Sequence, residues 1–288
     1  FSTPLPQSFS ETPFAHGKKI AEEVLKKGLN INFSMFARGV KVTPEVYDAY
    51  RCMIKAGLRA VFIGGETGHD YINQQVMNKG LTKKELINTI NCIKLAADNA
   101  GKSCKIGLSL IYPCPVTGGV TLEEVFRENI NLIKSVNPDT VIVNPPGVFP
   151  KTQWMERAQD YGFSIKPGFV AKFMSYEYSI YKPTELWEDL GYSLQGMDSF
   201  ALLKEAGRLR KEILNLGIPT DISDEYLMMT EAIGYKTRQD LLKFKSLSLL
   251  DIMSGSSRYI KNIVRQINER SREMASQEPE ERGDRGLA

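Results

Sequence analysis

Between Phe1 and Asn144 short apolar runs alternate with amphipathic runs of helical period, and this alternation constrains the fold more than any single motif. Five strand candidates fall at Phe1–Leu5, Ile31–Ala37, Arg59–Ile63, Lys105–Tyr112 and Thr140–Val143. In the segments between them, apolar residues return every three or four positions, as a helix with one buried face requires. Ile20, Val24 and Leu25 share a face in Gly17–Lys27; Val46, Tyr50 and Ile54 share the next, behind Thr43 as cap and Pro44 at the first helical position. Leu86, Ile90, Ile93 and Ala97 form a third such face, and Val125, Phe126, Ile130 and Ile133 a fourth. Thr82 with Glu85, and Thr121 with Glu124, have the spacing of capping boxes. Gly28, Gly57 and Gly101 supply the stops. Apolar strands joined to amphipathic helices by short connections give a parallel sheet covered by helices. Right-handed crossovers repeated in order curl such a sheet toward a barrel. Five strands are too few to close an eight-stranded one. The expected fold is therefore α/β, a partial, open TIM-type β/α barrel followed by a mostly helical C-terminal region.

The alternation stops after Asn144. Residues 1–150 are expected to form the partial barrel, 151–197 an aromatic-rich irregular extension, and 198–275 a helical region. Helices are expected over about 199–216, 224–233, 237–250 and 252–274. Residues 276–288 are charged and lack apolar periodicity, which predicts a disordered tail. The net charge of +3, without a concentrated basic stripe, argues against a nucleic-acid partner. No apolar run reaches membrane-spanning length and no signal peptide is visible. Cys52, Cys92, Cys104 and Cys114 show neither Cys-x-x-Cys nor a zinc-ligand spacing. Cys52 and Cys92 fall in helical patterns as small core residues, and so sparse a set of thiols suits a reducing cytoplasm. The chain begins at Phe1 rather than methionine, so it is expected to be processed or a portion of something longer.

In α/β folds ligands gather at the C-terminal ends of the strands. Those ends carry Thr3, Arg38, Glu66, Ser109 with Tyr112 and Cys114, and Asn144. Glu66 stands in the stretch VFIGGETGHDYINQQVMNKG, Val61–Gly80, where glycines let a backbone approach a ligand closely. An arginine and a glutamate on one rim can grip the carboxylate and ammonium of an amino acid, or a ribose diol. Each position also has a structural reading. Glu66 is placed to cap the helix after it, Arg38 to pair with a surface acid, and Asn144 to enter a proline loop. Cys114, between two prolines, reads as structural. His69 reads as a solvent-facing residue at a helix start. Gly118–Gly119 lacks the Lys-Ser/Thr that a phosphate-binding P-loop needs.

Taken in order, these motifs resemble the radical S-adenosylmethionine (radical SAM) superfamily, and within it the cobalamin-dependent subgroup. The resemblance rests on SMFARGVKVTPE, GGETG, the Met-Asn-Lys-Gly in Val76–Gly80, GLSLIYPCPVTGG, PPGVFPKTQW and PTDISDEYLMMTEAIG. It implies that Arg38 and Glu66 contact the methionine or ribose part of SAM, with Lys79, Ser109 and Thr3 also on the SAM side. It implies that Tyr112, Cys114 and Asn144 face the substrate or cobalamin. It further implies an enzyme that methylates or rearranges a small-molecule substrate by radical chemistry, a C-methyltransferase or a related transferase or oxidoreductase. An electron donor such as flavodoxin or ferredoxin would serve it. Such enzymes hold a [4Fe–4S] cluster on Cys-x-x-x-Cys-x-x-Cys, and their subgroup ligates cobalamin through Asp-x-His-x-x-Gly. Neither pattern occurs in this sequence, so both are expected upstream of Phe1. The competing reading is a cluster-less scaffold or binding module. An unrelated barrel lyase or aldolase would want a strand lysine or a metal-ligand cluster; neither stands out, and Lys105 begins its strand, at the wrong end.

Overall fold

The computed structural model describes residues 13–174 and 188–276. Thr3, the strand expected at Phe1–Leu5, part of the aromatic-rich segment and the tail beyond Ser276 lie outside these residues. Helix α1 (Pro13–Lys26) leads into β1 (Phe33–Arg38), α2 (Pro44–Ala56) and β2 (Leu58–Glu66). A π-helical turn (Ile72–Val76) precedes α3 (Lys83–Ala100), followed by β3 (Lys105–Ile111), α4 (Leu122–Val136) and β4 (Thr140–Asn144). The four strands form one parallel sheet in the order β1-β2-β3-β4. This is the α/β architecture expected from the alternation, and among the described residues the sheet stays open. It continues one step past β4, where Val141 N–H donates to Pro219 O and Asp221 N–H donates to Val141 O.

The predicted caps form. The Thr43, Thr82 and Thr121 side chains accept from backbone amides, the last two within complete capping boxes. Helices α1–α4 cover the outer face of the sheet. Tyr50, Ile54, Leu58, Ile63, Leu86, Ile90, Ile93, Ile106 and Leu108 are fully buried in the core between them.

Two expectations change. The segment expected to be irregular contains α5 (Gln153–Glu156), β5 (Phe163–Ile165), α6 (Phe169–Met174), β6 (Tyr192–Leu194) and β7 (Met197–Asp198). The three strands form a small antiparallel sheet over a core that includes Phe163, Phe169, Tyr192 and Leu202. The aromatic residues of this stretch are thus what packs it. After α7 (Ser199–Asn215) and α8 (Asp224–Ala232), α9 runs over Arg238–Ser254, and α10 over Arg258–Ser276. The break falls at Gly255 rather than near Leu250, because Gly255 takes a left-handed φ of 64° that ends α9. The buried Asp251 carboxylate then accepts from Ser256 Oγ and Ile260 N–H and so fixes the start of α10.

Helix α8 lies across the inner face of the sheet. Leu227 packs with Ala60, Phe62, Ile222 and Leu241, and Ser34 Oγ donates to Asp224 Oδ2 at 2.7 Å. The N-terminal half of the inner face is thereby covered, and its C-terminal half is left to form a site.

Candidate functional site

Alternation along the strands decides which side chains reach the open half. On β1 these are Phe36 and Arg38; on β2, Gly64; on β3, Ser109 and Ile111; on β4, Asn144. In register, Phe36 stands beside Phe62, Arg38 beside Gly64, Gly64 beside Ser109, and Ile111 beside Asn144. Phe36 is 74% exposed, with its ring centroid 6.1 Å from that of Phe62. It forms an uncovered apolar floor. Asn144 Nδ2 donates to Ser109 Oγ at 3.1 Å. Arg38 is exposed, and its guanidinium has no acidic partner among the described residues.

Glu66 reaches the same rim by a local irregularity. The register between β2 and β3 shifts between Gly64 and Glu66, and Glu66 takes a positive φ of 53°. A Cβ on Gly64 would lie 3.2 Å from Glu66 Oε1, so the carboxylate folds back over the inner face beside this glycine. Lys79 Nζ pairs with Glu66 Oε1 at 2.9 Å; the lysine side chain is half exposed and the glutamate largely enclosed. The structure therefore brings Arg38, Glu66, Lys79, Ser109 and Asn144 to one edge of the sheet.

The turn that presents Glu66 is held by buried amides. Thr67 Oγ1 and Gly68 N–H donate to Asn129 Oδ1 at 3.0 and 2.6 Å. Asn73 Nδ2 donates to the carbonyls of Gly65 and Thr67 at 3.2 and 2.6 Å, and the main-chain carbonyl of Asn73 accepts from Lys79 N–H at 3.0 Å. A Cβ at Gly68 would meet Glu128 O at 2.2 Å, so only glycine allows the turn to lie this close to α4. Phe36 could have been found by period-two reading of SMFAR. Asn129 could not, since it stands 62 residues from Thr67.

Three expectations are corrected. Tyr112 and Cys114 do not face the rim, and both are wholly buried. Even-numbered residues of β3 point to the helices, and Tyr112 continues that parity into the core. Its ring meets Phe126 edge-on, its hydroxyl donates to Glu205 and accepts from Arg208, and burial pushes its pKa up. Cys114 lies in the same core, where burial pushes the thiol up to about 12 and keeps it neutral. His69 is half-buried rather than solvent-facing, with Nδ1 enclosed.

The rim offers a carboxylate for an ammonium or a ribose diol, a guanidinium for a carboxylate, a hydroxyl–amide pair and an apolar floor. These groups suit the amino-acid and ribose portions of SAM. They do not suit an iron–sulfur cluster: among the described residues no three His, Cys, Asp or Glu side chains group to hold a metal. A groove of about 550 Å³ between α2 and α3, lined by Val42, Tyr47, Asn88 and Leu95, lies on the outer face and shares no residue with the rim.

No protein-family model and no curated protein matches the chain. Among solved structures it is similar to the cobalamin-dependent S-adenosylmethionine radical enzyme OxsB with aqua-cobalamin bound, at 12% identity and a TM-score of 0.39, over 89% of this chain and 45% of that one. It is also similar to the apo form of that enzyme, at 15% identity and TM-score 0.41, over 84% and 37% of the two chains. A third similar structure holds both aqua-cobalamin and S-adenosylmethionine, at 15% identity and TM-score 0.38, over 94% and 48%. The chain thus spans less than half the length of each of these structures.

Proposed function

We propose that the rim binds S-adenosylmethionine and that the chain is the core of a radical SAM enzyme of the cobalamin-dependent kind. The observation that carries this reading is the Glu66 carboxylate, turned over Gly64 by a register shift and a positive φ, with Lys79 beside it and the uncovered Arg38 on the neighbouring strand. A non-glycine residue at positive φ costs of the order of 1–3 kcal/mol and persists where the surroundings impose it. Such strain is common at ligand sites. Glu66 would accept from the ammonium or ribose hydroxyls of SAM, Arg38 would receive its carboxylate, and Ser109 and Asn144 would orient the sugar. Phe36 would exclude water beneath it. Thr3 belongs to the same reading. When bound, SAM supplies a sulfonium whose reductive cleavage yields a 5′-deoxyadenosyl radical. In this reading the part of the rim residues is to bind and orient SAM. The reading carries with it a small-molecule substrate that is methylated or rearranged, an electron donor such as flavodoxin or ferredoxin, and a cytoplasmic setting.

The test is SAM affinity of the full-length protein by isothermal titration calorimetry, beside Glu66→Ala. A tenfold or greater weakening is expected, since the variant removes a charge-assisted contact of roughly 1.5–3 kcal/mol. Equal affinities would remove the assignment.

A further inference from the structure

We propose that Asn73 and Asn129 act as a two-amide clamp whose task is to hold Glu66 and Lys79 in ligand-binding geometry. The inference rests on the SAM-site reading and adds positioning residues to it. Both side chains are fully buried. Their contacts lie on the peptide unit before Glu66, on the Thr67 side chain and on the Thr67–Gly68 peptide unit. Asn73 Nδ2 donates to the Gly65 carbonyl before Glu66 and the Thr67 carbonyl after it. Asn129 Oδ1 receives the Thr67 hydroxyl and the Gly68 amide. Backbone partners fix the amide orientations, because a carbonyl can only accept and an N–H can only donate.

The clamp is one-sided in its chemistry. Asn73 works as a donor and leaves Oδ1 without a partner; Asn129 works as an acceptor and leaves Nδ2 without one. An unpaired buried polar atom costs about 1–3 kcal/mol. Two buried amides, each left half-paired so that its other half can bind one turn, mark a geometry kept despite that cost. The strained residue enclosed by the clamp is Glu66, at positive φ. The Asn73 main chain also anchors the second member of the pair: its backbone carbonyl receives Lys79 N–H, and Lys79 Nζ reaches Glu66. Both members of the ion pair are therefore tied to one π-helical turn.

Opposite roles make aspartate a discriminating substitution. At 129 it keeps an oxygen acceptor for Thr67 and Gly68; at 73 it removes the donor and sets oxygen against two carbonyls. SAM affinity is measured by calorimetry on full-length Asn73→Asp, Asn129→Asp, Asn129→Leu and Glu66→Ala, with thermal unfolding as a check that each is folded. The expected pattern is a tenfold or greater loss for Asn73→Asp and Asn129→Leu, and affinity within threefold of the parent for Asn129→Asp. Should Asn129→Leu not fold, Thr67→Val removes one clamp bond alone and is expected to weaken SAM about threefold. Wild-type affinity in Asn73→Asp, or equal losses in the two aspartate variants, overturns the clamp; if Glu66→Ala is still impaired, the SAM-site reading stands without it. Wild-type affinity in Glu66→Ala removes both.

Discussion

Gly107 shows how one missing side chain shapes the inner face. It sits on β3 opposite Phe62 of β2, and a Cβ there would lie 2.2 Å from the Phe62 ring. Phe62 is 2% exposed and is held from above by Leu227, so its ring cannot swing away without disturbing α8. Gly107→Ala is therefore expected to destabilise the protein by about 1–3 kcal/mol, the usual cost of overpacking. Urea unfolding measures it, and Phe62→Leu in the same chain should recover part of the loss. An unchanged midpoint for Gly107→Ala would mean the ring has room the structure does not show. The sequence presents Gly107 only as a glycine in a strand. Which aromatic ring fills the gap depends on pairing with β2, and that information is not local.

Helix limits were legible where the signal sits within four residues. In α3, Glu85 Oε2 accepts from Thr82 N–H and Thr82 Oγ1 at 3.0 and 2.8 Å, while Thr82 Oγ1 receives Glu85 N–H at 3.2 Å. The same bonds hold the Glu85 carboxyl below its ordinary range. Thr82→Ala should cost about 1 kcal/mol, and Thr82→Ser much less, because the cap needs the hydroxyl rather than the methyl. Thermal unfolding of the two variants decides it, and equal losses would assign the effect to packing. Limits set by distant partners were not legible. The start of α10 depends on the buried Asp251 reaching nine residues on to the Ile260 amide. The π-helical turn at Ile72–Val76 places Asn73 under the Glu66 turn, and a helical hydrophobic period does not distinguish it from an ordinary helical turn.

The alternation of strands and helices named the parallel sheet and the strand ends that form its rim. It could not say that a helix from the C-terminal region would cover half of the inner face. That cover divides the face into two halves with different duties. Below, Leu227 is 1% exposed and joins Phe62 and Ala60 to Ile222 and Leu241. Above, Phe36 is 74% exposed although its ring touches Phe62. A fold governed by burial alone would treat the two side chains alike, since both are large, apolar and set against one face of one sheet. Their variants should therefore separate. Leu227→Ala leaves a cavity beneath α8 and is expected to cost about 2–5 kcal/mol. It should also speed hydrogen exchange at Val61–Ile63, whose strand loses its cover. Phe36→Ala removes a side chain that is already largely in water, so its effect on stability should stay within about 0.5 kcal/mol. SAM affinity should fall in this variant, because the floor of the rim is lost. A large stability loss in Phe36→Ala would make the ring part of the core, and the open half-face would then no longer be a ligand site.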